Sequence, residues 1–438
     1  MSMVVKNNMS AISTLNTLNK NSSALSNSLK KVSSGMKINS AADDASGYAI
    51  SERMRVQIRG LDQANQNTQN GTSMMKVAEG AVSSTVDILK TLKEKVINAA
   101  NDTNTDSDRA TIQKELDQSI DQINDNANVT YNGKYLVDGS HNSHVDATTT
   151  AMTNESLFSG TDGSTAFSDM KDRNGNSLNI NSLDTVTISF VKEGKTYVTS
   201  MKASEGGINA LLKKANGIKG AEGTFKEEIG TTSYIGKDIA GDAVNTADEK
   251  NALTIHAKKA GVSNQISGVT FSVTNTKGQV QKSANAVLDN FTESVRAQNK
   301  SDDNAISLQV GTKANQSIRV GLTDMRAEAL GLQSSTGQTI QIGTQAQANA
   351  AINVLDNAVQ KALDQQTTIG SVESRLSYTS SNLTTASENV QASESTIRDA
   401  DMAKEMTEYT KNNVLLQAAQ SMLAQANQSS SSVLSLLQ

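Results

Sequence analysis

The chain has no cysteine, no proline and no tryptophan in 438 residues. Without Cys there is no disulfide, no thiolate metal site and no cysteine nucleophile, although this absence does not by itself fix the compartment. At average usage of about 5% proline would occur roughly 22 times, so its absence has a cause. Part of that cause is helix, because an interior proline costs about 3 kcal/mol and both ends read as helix. Loops in the middle would tolerate it. This points to a second cause: a chain delivered unfolded that must fold promptly avoids slow prolyl isomerisation. Long apolar runs are missing too, and the start, Met1-Ser-Met-Val-Val-Lys-Asn-Asn, lacks the apolar core of a cleavable signal. We therefore expect a soluble chain that, if it leaves the cell, does so by another route, with no membrane partner.

Forty Lys and Arg stand against 45 Asp and Glu, a net charge of −5 with both signs interspersed. No basic stripe is present to neutralise phosphates, which excludes nucleic acid as the expected partner. A hydrophobic content of 36% suffices for real cores, and the length corresponds to roughly three domain-sized units.

What the chain does have is helical heptads running to both termini. Near the C-terminal end Ile369, Val372, Leu376, Thr379, Leu383, Ala386, Val390, Ser393 and Ile397 alternate three and four apart, the seam of a coiled coil. After a phase break at Arg398-Asp399-Ala400-Asp401 the pattern resumes through Met402, Met406, Tyr409, Asn413, Leu416, Gln420, Leu423, Asn427, Ser430, Leu434 and Leu437. At the other end a helix is expected from about Val5 to Lys31, carrying Val5, Met9, Ile12, Leu25, Leu29, Val32 and Met36 on one narrow stripe. Gly35 supplies a left-handed cap. Asn39 to Gly47 supplies cap oxygens for a second helix, about Asp44 to Ala100, with its stripe through Met75, Ala78, Val82, Val86, Leu89, Leu92, Val96 and Ala99. It would be on the order of 80 Å long. A third helix carries Ile112, Leu116, Ile120, Ile123 and Ala127, and Asn132-Gly133 reads as a tight turn before a short strand, Lys134-Tyr-Leu-Val.

Between about Ser140 and Asp303 the texture changes. All six Phe and all three His lie here, Gly, Ser and Thr rise, and period-two stretches appear at Val186 to Val191, Thr196 to Thr199, Asn251 to His256 and Val269 to Thr274. One helix is expected near Glu205 to Ala215. Alternation recurs at Ile306 to Val310 and Ile318 to Leu322, a hairpin before two last helices, about Thr344 to Ala400 and Asp401 to the end. The fold class is thus α+β and multidomain: a long antiparallel coiled-coil rod made from both termini, a β-hairpin and an inserted β-rich domain.

No residue cluster calls for chemistry. His141 and His144 sit in a junction loop with only Asp146 nearby, and His256, on a strand, reads as surface. Asp43-Asp44 reads as helix-start charge rather than a catalytic pair. No HExxH, P-loop or GxSxG occurs, so no catalytic, metal or cofactor site is expected. Asn413, Gln420 and Asn427 interrupt the terminal seam, where buried amides cost stability and fix register. A lone narrow stripe has little to bury against in one molecule, so the termini are expected to order on association.

Leu29-Lys-Lys-Val-Ser-Ser-Gly-Met-Lys-Ile-Asn-Ser-Ala-Ala-Asp-Asp-Ala-Ser-Gly-Tyr-Ala-Ile, with Ile58-Arg-Gly-Leu and Ala78-Glu-Gly-Ala, resembles the N-terminal signature of bacterial flagellins. Ser387 to Glu405 and Met422-Leu-Ala-Gln-Ala-Asn-Gln resemble the C-terminal one. The resemblance covers about 1–139 and 305–438 and leaves out the insert. It implies a self-assembling subunit of the extracellular flagellar filament, exported unfolded by the type III system with its chaperone and added beneath a cap, next to hook-associated proteins. It implies an inner coiled-coil tube from 1–40 with 402–438, a helical rod layer from 41–139 with 305–401, and a variable solvent-facing insert, 140–304. The assembly residues would be Val5, Met9, Ile12, Leu25, Leu29, Val32, Met402, Met406, Leu416, Leu423, Leu434 and Leu437. Three departures stand out. Ser429-Ser-Ser-Ser replaces a usual proline and glutamine, and the Leu308 to Asn315 hairpin follows the insert rather than the third helix. Thirdly, an innate immune receptor engages many flagellins through an Arg, a Leu and a Glu. Thr91 and Lys95 stand at the first two positions and Glu115 at the third, which implies a weakened response. A hook-filament junction protein, and a flagellin whose insert adds an adhesive, glycan-bearing or enzymatic role, are the alternatives.

Overall fold

The computed structural model describes residues 8–238 and 241–436, with side chains through Gln428. The chain divides into two compact units. The first runs up to Thr68, takes in Gln309–Gln316 and resumes at Tyr378; the second comprises Gln69–Leu308 and Ser317–Ser377. Helices α2 (Ala45–Ala99) and α6 (Gln345–Arg398) each contribute to both.

In the first unit α1 (Met9–Ser34) pairs with α7 (Met402–Leu436). The side chain of Asn8 caps α1 by accepting from Ala11 N, and Gly35 ends it in the left-handed region, φ 70°, where a Cβ would be strained. The helix thus ends later than the stripe suggested, and the expected start at Val5 lies outside the described residues. The beginning of α2 packs on the end of α6 through Leu61, Ala64 and Leu383, tied by Ser387 to Asp62 and Ser380 to Asn65.

The second unit holds the rest of these two helices, α3 (Asp106–Ala127) and the insert. Thr105 and Asp108 form a reciprocal capping box at the start of α3. The α2 stripe from Met75 to Ala99 is buried throughout, as are Leu116, Ile120, Ile123 and Ala127 on α3. Arg109 fastens α3 to the end of α2 by donating to Ala99 O (2.9 Å) and Asn101 O (3.2 Å). The expected tight turn joins β1 (Thr130–Tyr131) and β2 (Lys134–Tyr135), with φ 50° at Asn132 and 75° at Gly133. The strand stops at Tyr135 because Leu136 and Val137 turn into the core, both almost fully buried. The hairpin of β12 (Ile306–Gln309) and β13 (Ser317–Val320) is present as expected.

The insert has two antiparallel sheets over one core. One contains β4 (Thr185–Lys192), β5 (Lys195–Lys202) and β10 (Gly268–Thr274) in the order β10-β4-β5; β4 and β5 meet at Lys192 and Lys195 across a two-residue turn, Glu193-Gly194, with φ 48° and 70°. The other orders β11 (Thr292–Val295), β3 (Ala151–Asn154), β9 (Ala252–His256) and β6 (Thr231–Thr232). A small ribbon, β7 (Tyr234–Lys237) with β8 (Ala243–Asn245), lies beside β3 and β11. Two helices belong here, α4 (Ile208–Asn216), starting three residues later than expected after a tight turn at Ala203–Glu205, and α5 (Lys282–Leu288). Five of the six Phe form the core; Phe190 meets Phe225 edge to face at 4.7 Å, and Phe271 meets Phe291 at 5.1 Å. The outer edge of β10 is sealed by side chains: Asp289 and Asn285 accept from Phe271 N and Val273 N, and Asn353 and Asn357 of α6 donate to Val269 O and Ser267 O. An open edge would invite a foreign strand.

Candidate assembly surface

The phase break between α6 and α7 is a built joint. Arg398 O accepts from Lys37 N at 2.7 Å, Ala400 N donates to Gly35 O at 2.9 Å, and Met36 bridges Asp399. The Arg398 side chain is 7% exposed. Its guanidinium donates to Glu52 at 2.6 Å and lies over the Tyr48 ring, 5.5 Å from the centroid. That hydrogen bond from Arg398 holds the Glu52 carboxyl below its ordinary range. The acidic pair beside it caps backbone: Asp43 accepts from Asn39 N and Ser40 N, and Asp44 from Ser46 N and Gly47 N. These backbone donors hold both carboxyls low. Asp401 caps α7 through Ala403 N and Lys404 N.

From this joint α1 and α7 run antiparallel. Asn8 Nδ2 donates to Ala426 O (3.2 Å), Asn21 Nδ2 to Leu415 O (3.2 Å) and Asn412 Nδ2 to Ser28 Oγ (3.0 Å), and Lys31 faces Glu405 (3.9 Å). The covered positions recur at Ala11, Thr14, Leu18, Asn21, Leu25, Ser28 and Val32, and opposite them at Glu405, Tyr409, Asn412, Leu416, Ala419, Leu423 and Ala426. Both are heptad seams, and both are largely small or polar. The amides that set their register are Asn21 and Asn412. Gln420 and Asn427 are exposed and Asn413 half-buried beside the seam, so the stripe traced through those three is displaced by one position from the intramolecular contact.

The residues singled out for assembly therefore fall into two sets. Leu25, Val32, Leu416 and Leu423 lie on the intramolecular seam, half-buried. Met9 (69%), Ile12 (48%), Leu29 (51%), Met402 (43%) and Met406 (45%) are exposed. Val5 and Leu437, and the side chain of Leu434, lie outside the described residues. Four further apolar residues share that exposure and were missed: Leu15, Val414, Leu415 and Met422. The signal was available in Val414-Leu415-Leu416, where consecutive apolar residues cannot all serve one seam. Met406, Thr410, Val414 and Leu415 line a shallow groove of about 550 Å³. Full burial of one such Met or Leu would yield about 1.5–3 kcal/mol.

Elsewhere Thr91 is exposed and donates to Asp87 O, while Lys95 Nζ sits 3.0 Å from Glu115. The structure thus joins two of the three residues expected to face a receptor to each other. His141 Nδ1 lies 3.2 Å from Asn304 O, and His144 is 3.9 Å from Asp146. His256 is not a surface residue: it is half-buried at the end of β9, where burial and nearby Lys226 push its imidazole below the ordinary histidine range. No described helix is long and apolar enough to cross a membrane.

Residues 5–142 match the bacterial flagellin N-terminal helical region and residues 352–437 the bacterial flagellin C-terminal helical region. The chain is 34% identical to a flagellin of Clostridium tyrobutyricum over 97% of this chain and 99% of that one. It is 32% identical to a flagellin of Bacillus subtilis over 99% and 100% respectively. Among solved structures, flagellar hook associated protein-3 of Legionella pneumophila aligns over 78% of this chain and 97% of its own at 14% identity, with a TM-score of 0.33. Sequence identity along the whole chain, converging on paired terminal helices with an exposed apolar face, makes this protein a member of the bacterial flagellins, structural subunits of the extracellular flagellar filament.

Proposed function

We propose that copies of this chain pack through the exposed face of α1 and α7, with 1–40 and 402–438 forming an inner tube, 41–139 and 305–401 the surrounding layer, and 140–304 facing solvent. The observation that carries this is the second apolar set, Met9, Ile12, Leu15 and Leu29 with Met402, Met406, Val414, Leu415 and Met422, left exposed beside a seam already closed within the molecule. Leu25, Val32, Leu416 and Leu423 act indirectly, holding the pair in the register that presents that face, while Val5, Leu434 and Leu437 keep only the assembly role that the family resemblance implies. Met406→Lys with Leu415→Lys places two charges in the groove. Seeded polymerisation followed by electron microscopy should show filament formation reduced at least tenfold while far-UV circular dichroism of the monomer is unchanged. Normal filaments from that variant, or from a chain truncated before Met402, would refute the assignment.

The same reading has the chain exported unfolded by the flagellar type III apparatus with its chaperone, capped and joined by hook-associated proteins, and acting without catalysis. It also has the chain engaging an innate flagellin receptor weakly. Support for the last comes from the Lys95 pairing at Glu115, which occupies the carboxylate a receptor cation would seek, and from Thr91 in place of a longer cation. A reporter-cell assay should show reduced potency, partly restored by Thr91→Arg; full potency of the native protein contradicts it.

A further inference from the structure

With neither cysteine nor tryptophan in the chain, the side chain most readily oxidised by a peroxide is the methionine thioether. Met1 and Met3 lie outside the described residues, and the other twelve of the 14 methionines divide by position. Met74, Met75, Met152, Met170, Met201 and Met325 are core, at most 6% exposed. Met36 and Met54 are half-buried, and the Sδ of Met36 accepts from Arg398 Nε at 3.2 Å. The remaining four, Met9, Met402, Met406 and Met422, are 43–69% exposed, and all four lie on α1 and α7. No described methionine is exposed anywhere else.

Oxidation replaces an apolar sulfur with a sulfoxide whose oxygen needs hydrogen-bond donors. In solution water supplies them. Once the side chain is buried against another subunit, the oxygen must find a donor in the protein or carry its desolvation cost unmet. At Met406 the nearby donors are committed: Thr407 Oγ1 donates to Ala403 O at 2.8 Å, Thr410 Oγ1 to Met406 O at 2.9 Å, and Lys411 is drawn towards Glu408 at 3.5 Å. The groove these residues share with Val414 and Leu415 therefore suits a thioether far better than a sulfoxide.

We propose that Met9, Met402, Met406 and Met422 are an oxidation site for hydroperoxides on the unassembled chain, and that sulfoxide there blocks its addition to a filament. This rests on the packing of copies through α1 and α7 proposed above. The sulfur lone pair attacks one peroxide oxygen, and the O–O bond breaks as the S–O bond forms. With proton transfer the other oxygen leaves as water; sulfur is oxidised by two electrons and the peroxide reduced by two. Methionine sulfoxide reductases reverse the change. Burial in the filament shields the same four residues, so only chains not yet assembled are affected.

Full-length monomer treated with millimolar hydrogen peroxide and mapped by peptide mass spectrometry should gain oxygen at these four residues at least tenfold faster than at the six core methionines. Seeded polymerisation of that monomer should slow at least tenfold with far-UV circular dichroism unchanged, and methionine sulfoxide reductases A and B together should restore it. Met9→Leu, Met402→Leu, Met406→Leu and Met422→Leu combined, changes of nearly equal volume, should polymerise alike before and after peroxide. If that variant does not polymerise untreated, a peroxide dose series on the native chain decides: assembly falls in step with sulfoxide at the four sites, or the proposal is wrong. Unchanged assembly of the oxidised monomer, or equal loss in the peroxide-treated Leu variant, would overturn it. Preformed filaments separate the two readings. Four methionines as reactive there as in the monomer would remove the packing itself, whereas protected methionines with unhindered assembly of the oxidised monomer would remove only the oxidation site.

Discussion

Burial at Glu293 costs more than its neighbouring cation returns. The side chain is 13% exposed, and Arg296, 3.7 Å away, is shared with Asp364 at 2.7 Å. Desolvation therefore wins, and the carboxyl rises to about 7. From about pH 4.5 to 7 the folded chain keeps a proton that the unfolded chain has released, so this group's contribution is full below 4.5 and is lost as pH rises through that window. The loss amounts to at most about 3 kcal/mol. Glu293→Gln is already neutral and escapes it. Thermal unfolding of both proteins from pH 4.5 to 7.5 should show the variant gaining on the native chain as pH rises; parallel curves would mean the carboxyl ionises normally. None of this was legible from the sequence, where Glu293 is one acid among many. Of its two neighbouring cations, Arg296 is only three residues along the chain, but Lys361 comes from a distant segment and meets it only in the folded chain. His256 was misread for a related reason: neither side of β9 is left open, since Leu253, Thr254 and Ile255 are all buried, so alternation says nothing about exposure there.

Elements were legible in proportion to how often their pattern repeats. The α6 seam through Ile369, Leu376 and Leu383 repeats over many turns, and all three are buried. Strand β3 has only Ala151-Met-Thr-Asn, all buried, and four residues without alternation carry no signal. Two of the glycines inside α2 are explained by the hairpin. Thr312 comes within 2.9 Å of where a Cβ of Gly60 would stand. Likewise Leu308 comes within 2.7 Å of the Cβ position of Gly71. Gly71→Val should push the Leu308 strand off the helix and destabilise the second unit by about 1–3 kcal/mol, the usual cost of overpacking. Urea unfolding measures this, and an unchanged midpoint would show that the hairpin is not seated there.

For the whole molecule, the insert enters and leaves at one point. Val145 and Ser301 exchange hydrogen bonds of 3.1 and 3.0 Å, and Thr148 N donates to Gln298 O. A two-residue Gly-Ser join of 145 to 301 spans this gap without strain. The excised chain should still form filaments when seeded, with its unfolding midpoint lowered because Val354 of α6 loses its cover at Gly268. Electron microscopy that finds no filaments would show that the insert is needed for assembly.

The sequence by itself determined the helical ends, the joint at Arg398 to Asp401 and the family, because heptads and caps are local patterns that each residue states again. Tertiary structure decided which side of α1 and α7 is spent within the molecule and which is left over. A largely small or polar seam and an apolar stripe beside it look like one in a list of residues. Only the pairing of Asn21 with Leu415 and of Ser28 with Asn412 separates them, since register is a property of two helices together.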